Sequence, residues 1–224
     1  MIYCIGDSHV SVFSGRGTKD NPYQQPLFPT ITKGDLPAFT PIRLGAILAY
    51  NLVGKTSRIF EALEYYKVSR DDVVLLSFGE IDCRMHILRQ AQIFNAPVKS
   101  LVEECVARYL IAAQIIANKE YRVGFWGPIA SSIASPLPEH LQKPEEFPVF
   151  GSCQERNHIT QYFNEYLTQL GKAFGFETFS IFPELIHPDH LTRTEYYMDQ
   201  IHLSQSAIPL IEKVLSPILL PKGL

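Results

Sequence analysis

Val73-Val74-Leu75-Leu76-Ser77-Phe78 is apolar at five of its six positions. A strand with one wet face alternates apolar and polar residues, whereas a strand covered on both faces does not. This run therefore predicts a strand sandwiched between two packed layers. Working outward, four more short apolar runs read as strands, at 2–5, 41–44, 122–126 and 177–181. Between them lie stretches with helical periodicity: 46–66, broken by Gly54, then 98–118, 155–174 and 204–215, the last with Ser204 placed as its N-cap. Alternation of strands and helices predicts an α/β fold. The expectation is a single three-layer α/β/α domain over 1–224 with a mainly parallel five-stranded sheet.

The composition is compatible with one sizeable core. It is 46% hydrophobic and 19% charged, with no Gly/Ser-rich linker to divide it. A net charge of -3 without any block of like charge gives a phosphate backbone or an anionic bilayer nothing to bind. Neither a nucleic-acid partner nor membrane insertion is expected, and no apolar run has spanning length. Cys4, Cys83, Cys105 and Cys153 lie far apart with no CxxC pair, so free thiols in a reducing compartment are expected. The first strand runs straight into Gly6-Asp7-Ser8, which leaves no room for a signal segment and predicts a cytoplasmic protein.

Two proline-rich segments interrupt the alternation. Residues 15–40 hold Pro22, Pro26, Pro29 and Pro37, and residues 128–151 hold Pro136, Pro138, Pro144 and Pro148. Each follows a predicted strand closely, so both are expected over the carboxyl edge of the sheet, where open α/β sheets bind ligands.

That edge also carries chemistry. A serine hydroxyl is a poor nucleophile unless an oriented base takes its proton. Gly6-Asp7-Ser8 supplies a serine directly after the first strand, and Asp199-Gln200-Ile201-His202 supplies a base and its orienter within one turn. Ser8 is read as nucleophile, His202 as general base and Asp199 as the carboxylate that fixes the imidazole. The plain alternatives are a helix N-cap for Ser8 and a turn-capping Asp beside a surface His.

Gly6-Asp7-Ser8 near the start and Asp-x-x-His near the end resemble the GDSL, or SGNH, hydrolase family. The resemblance spans residue 2 to about residue 215 but is carried by short motifs. It implies a flavodoxin-like three-layer fold and a serine esterase or acyl hydrolase that works through an acyl-enzyme without metal or organic cofactor. It also implies a small-molecule or glycan ester as substrate, including O-acylated carbohydrate or lipid. The family draws its oxyanion hole from the serine N–H, from a glycine of a second block and from the Asn of a Gly-x-Asn-Asp third block. Gly45 is the choice for the glycine, with Gly34 as fallback, though Gly45 also reads as a mere strand-to-helix turn. The third block departs from the pattern. It reads Gly79-Glu80-Ile81-Asp82, and isoleucine cannot donate a hydrogen bond. Arg84, two to three residues on, is the expected replacement donor, with Asn51 a weaker one.

Glu80, Asp82, Arg84 and His86 alternate along this third block. An Arg84 ion pair with Glu80 or Asp82 would hold the loop, and a sharper reading puts Glu80, Asp82 and His86, with Asp7, on a polar substrate. Three other functions compete. The same triad would serve an acyltransferase. A pocket without turnover would make a glycan-binding protein. Asp7-Ser8-His9 with His187 and His190 would suit a metal-dependent phosphoesterase, although the Gly-Asn-His string usual there is missing.

Overall fold

The computed structural model describes residues 1–14, 39–134 and 147–219. Most of the 15–40 segment, with Gly34, and the middle of the 128–151 segment lie outside the described residues. Five strands form an all-parallel sheet: β1 (Ile2–Gly6), β2 (Phe39–Arg43), β3 (Val73–Ser77), β4 (Arg122–Trp126) and β5 (Glu177–Phe179), in the order β2-β1-β3-β4-β5. The chain leaves β1 to one side for β2 and returns on the other side as β3. A crevice is therefore expected at the carboxyl ends of β1 and β3, and Ser8 and Gly79 lie just past those ends.

The sandwiching read from Val73–Ser77 is visible residue by residue. Val74 and Leu76 pack into one layer and Leu75 into the other, and all three are fully buried. The first layer is built on α1 (Thr56–Tyr65), α3 (Val98–Ala117) and α4 (Cys153–Ala173), through Ile59, Val106 and Phe163. The second holds a 3-10 turn (Ser8–Ser14), the segment after β5 and α5 (Ile208–Leu219), through Phe13, Phe182 and Leu215. All four cysteines are buried free thiols. Among the described residues no helix is long and apolar enough to cross a membrane.

Where elements differ from expectation, local chemistry explains the shift. β2 starts two residues early and contains Pro41, which its place at the sheet edge tolerates because one side of that strand has no ladder to feed. β5 ends at Phe179 because the Ser180 hydroxyl accepts the Phe182 N–H and starts a 3-10 turn with Pro183 in it. The 46–66 stretch divides into a 3-10 turn (Ala49–Lys55) and α1. α4 begins at Cys153 through a capping box, in which the Ser152 hydroxyl takes the Glu155 N–H and the Glu155 carboxylate takes the Ser152 N–H. The Ser204 side chain accepts from Ser206 and caps the short turn Gln205–Ala207 rather than α5 itself. The π-turn Asp82–His86 and the short α2 (Ile87–Phe94) that continues it fall between the strands and helices predicted above.

Candidate active site

Gly6 ends β1 where it presses against β3. A Cβ there would fall on the Ser77 carbonyl oxygen and 2.8 Å from a Val10 methyl, so only glycine lets the two strand ends come this close. The chain then turns, and Ser8 opens the 3-10 turn with its side chain half-buried. At the other end of the chain, Tyr197 and Leu203 bridge, and the Met198 N–H reaches the His202 carbonyl at 2.9 Å, which closes residues 198–202 into a tight loop. Asp199 organises this loop with both oxygens. Oδ1 accepts the N–H groups of Ile201 (2.8 Å) and His202 (2.7 Å), and Oδ2 takes the His202 ring at Nδ1 (2.8 Å). The Tyr197 hydroxyl donates to the Ala130 carbonyl at 2.6 Å and moors the loop to the segment after β4.

The far nitrogen of that ring, Nε2, lies 2.8 Å from the Ser8 hydroxyl oxygen. With Asp199 accepting at Nδ1, the proton sits on Nδ1 and Nε2 is left to accept from Ser8. The His202 side chain is fully buried. Burial, and secondarily the charge of His9, push its proton affinity well below the ordinary imidazole range, while Asp199 pulls the other way. His202 is held between two rings, stacked on His9 at 4.9 Å and edge-on to Phe147 at 5.4 Å.

The predicted oxyanion donors separate. Gly45 sits half-buried just past β2 with a φ of +94°, a conformation that favours glycine. Arg84 is tied to the loops around it. It is buried at 5% exposure, with Nε on Glu80 Oε1 at 2.7 Å and Nη1 on the Pro148 carbonyl, so the structure gives it an anchoring task. Asn51 is exposed in the turn before α1. Ile81 is the half-buried residue that leads into the π-turn.

The predicted substrate contacts also turn inward. Asp82 is 1% exposed and accepts the N–H groups of Ala49 (2.8 Å) and Tyr50 (3.3 Å) and the Cys105 thiol (3.5 Å), which makes it a buried brace between the π-turn and the Ala49–Lys55 turn. Burial raises its pKa to about 6. Asp7 is likewise 1% exposed, with Oδ1 accepting the His9 N–H at 2.9 Å. Glu80 lies between Arg84 and His9, whose Nε2 is 2.9 Å from Glu80 Oε2. The ion pair of Arg84 is thus with Glu80 and not Asp82. His86 ends the π-turn half-buried, its proton affinity lowered by burial and then by Arg89 and Arg84. Of these four, Asp7 precedes Ser8 and accepts the His9 N–H, and Glu80 reaches the triad through His9.

His190, at a turn closed onto His187, stacks on His158 of α4 at 4.1 Å. Among the described residues no group of three or more His, Cys, Asp or Glu side chains is placed to hold a metal ion.

Sequence reading missed two buried groups. Arg156 of α4 is fully buried and donates to Ser131 Oγ (3.0 Å), to the carbonyls of Ser132 (2.5 Å) and Ala134 (2.7 Å), and to the Gly151 carbonyl. One guanidinium thereby holds both flanks of the proline-rich segment after β4. In the sequence His9 reads only as a metal ligand, and its contact with Glu80, 71 residues away, leaves no local signal. The only sequence trace of Arg156 is a charged residue on the helix face that carries Ile159 and Phe163. A large concavity of about 500 Å³ opens at the opposite edge of the sheet, beside Val73, Arg122 and Glu177 at the strand starts, far from this chemistry.

No protein-family model and no curated protein matches this sequence. Solved structures do match. A GDSL-like lipase from Bacteroides thetaiotaomicron aligns with a TM-score of 0.60 at 10% identity, over 97% of this chain and 86% of that one. A catalytic mutant of an acetylxylan esterase from Geobacillus stearothermophilus aligns with a TM-score of 0.53 at 15% identity, over 97% and 93%. At such identities the likeness is one of fold, and it extends over almost the whole chain.

Proposed function

We propose that this chain is a serine ester hydrolase of the GDSL/SGNH kind. One observation carries the reading: residues 194 positions apart, Ser8 and His202, meet at 2.8 Å, with Asp199 at 2.8 Å on the far ring nitrogen. In this reading Ser8 attacks the acyl carbon while His202 Nε2 takes its proton. Asp199 stabilises the imidazolium so formed. His202 then returns the proton to the leaving alcohol, and afterwards activates the water that releases the acyl group. The N–H groups of Ser8 and Gly45 receive the oxyanion, the first with help from the start of the 3-10 turn. Each atom of this scheme belongs to the protein, the ester or water, so no cofactor enters.

The lipase and acetylxylan esterase named in the matching structures make O-acylated carbohydrates and lipid esters the first substrate classes to screen. Ile81 supports a second reading, a binding protein that keeps the fold and turns over little, because one oxyanion donor is worth about 100- to 1,000-fold in rate. Intact-mass analysis after treatment with a small fluorophosphonate separates the two. An adduct on the native chain, missing from Ser8→Ala, is the expected result. Folded native protein that takes up neither this probe nor a smaller acylating one would decide for the binding protein.

A further inference from the structure

The chain departs from the resembled motifs at two places, and one reaches the neighbour of the other. His9 stands where the motif's own name has leucine, Ile81 stands where the third block has Asn, and Glu80 fills the open position just before Ile81. Across 71 residues, Glu80 binds His9 Nε2 at 2.9 Å with one oxygen and Arg84 Nε at 2.7 Å with the other. All three side chains are at least nine-tenths buried. A chain of Arg84, Glu80 and His9 therefore runs through the interior and ends on a ring stacked against the base of the triad, 4.9 Å away.

We propose that His9 and Glu80 are a positioning pair that acts on the triad through His202: Glu80 fixes and charges His9, and His9 holds the His202 ring in its plane and biases it toward the uncharged base. The carboxylate of Glu80 can only accept, so His9 Nε2 carries a proton. His9 and Asp7 both line a cavity of about 10 Å³. Neither His9 Nδ1 nor Asp7 Oδ2 has a partner among the described residues. The space fits about one water, which would accept from a protonated Nδ1 and donate to Asp7. The charges around His9 favour that second proton. Glu80 past β3 is anionic and draws it first, Asp7 just past β1 adds to this although burial raises its own pKa, and Arg84 in the π-turn opposes it. The closing loop contributes His202 and the buried Tyr197 phenol, both uncharged, and Arg43 of β2 lies beside Asp7. Burial works against the imidazolium, yet Glu80 and Asp7 outweigh it and raise the His9 pKa. A cation at this position disfavours a second cation on His202.

The kinetic consequence rests on the esterase reading, but the pair itself does not. Two unit charges 4.9 Å apart at an effective dielectric of about 20 move a pKa by roughly two to two and a half units. Glu80 stays in His9→Phe, so that variant should show the full shift; Glu80→Gln loses both charges, so about one unit is expected there. The test is histidine ring Cε1–H NMR titration of the native chain, His9→Phe and Glu80→Gln. The phenyl ring of His9→Phe keeps a stack and removes the charge, while Glu80→Gln keeps His9 and removes what charges it. In the native chain His9 should titrate above about 6.5, the ordinary imidazole value. The His202 midpoint should rise by about two pH units in His9→Phe and by about one in Glu80→Gln, and the acid limb of the fluorophosphonate labelling rate should move to higher pH with it. A His9 that is neutral at pH 6 in the native chain overturns the proposal without any variant. So does a His202 midpoint that is the same in all three proteins. Failure of Ser8 to label at any pH would sink the esterase reading and leave the NMR result standing.

Discussion

Asp199→Asn should cost about four orders of magnitude in acylation rate while leaving the fold intact, and the geometry of Asp199 says why. Its Oδ1 is held by two backbone N–H groups, from Ile201 at 2.8 Å and His202 at 2.7 Å. An asparagine must put its oxygen there to keep both bonds, which forces its NH₂ into the place of Oδ2, opposite His202 Nδ1. Facing a donor, Nδ1 must become the acceptor, and the ring proton moves to Nε2. The atom 2.8 Å from the Ser8 hydroxyl then already carries a proton and cannot take another. The same tautomer trap in a triad protease costs about 10⁴, equivalent to about 5 kcal/mol of barrier. Because the turn keeps its two bonds, the melting temperature should stay within a few degrees of native. Asp199→Ala, which loses them, should be less stable by about 1–2 kcal/mol. The assay is the second-order rate of fluorophosphonate labelling by intact mass, with thermal unfolding in parallel. A labelling rate for Asp199→Asn within tenfold of native would refute the assignment of Asp199 as orienter.

Three further outcomes are expected. Ile81→Asn should raise p-nitrophenyl acetate hydrolysis about tenfold or more by restoring a donor; no gain in a folded variant would mean that residue 81 does not face the reacting carbonyl. Arg156→Met leaves the Ser132, Ala134 and Gly151 carbonyls without their donor, and urea unfolding should show a loss of about 3 kcal/mol; a loss under about 1 kcal/mol would remove Arg156 as an anchor. Asp82 titrates at about 6 when folded against about 4 unfolded, so the native state binds the extra proton between these values. Its contribution is present below about pH 4 and is lost as pH rises through about 6, on the order of 3 kcal/mol in all. Stability measured from pH 4 to 7 should therefore fall less steeply in Asp82→Asn than in the native chain, and equal slopes would contradict the raised value.

What the sequence disclosed was set by distance along the chain. Val73–Ser77 announces a strand covered on both sides because its own residues alternate between two cores, and Asp199 and His202 announce a pair because three residues place them on one turn. The meeting of Ser8 with His202 was legible only through the motif resemblance, since periodicity says nothing about contacts 194 residues apart. The same limit hid the contact of His9 with Glu80. Asp82 was harder to read for a different reason. A charged residue at the end of a buried strand invites a ligand, yet Asp82 is held chiefly by backbone groups, the Ala49 and Tyr50 N–H, and the Pro148 carbonyl that Arg84 reaches beside its ion pair with Glu80 is backbone too. Backbone carbonyls exist at every residue and N–H groups at all but proline, so they leave no mark on a sequence. The π-turn is invisible on the same ground, because its extra residue per turn changes no side-chain pattern that a reader could count.

Arg156 has a consequence for the covalent chain. Its guanidinium grips Ala134 and Ser132 on one side of residues 135–146 and Gly151 on the other. The two sides are thus cross-linked without a covalent bond, through a side chain rooted in α4. A single peptide-bond cut between 134 and 147 would part the sequence but not this joint, and β4 and β5 would still pair across the cut. The nicked protein should travel as one particle under native conditions and as two fragments only in denaturant. At this place continuity of the backbone and continuity of the structure are separate properties.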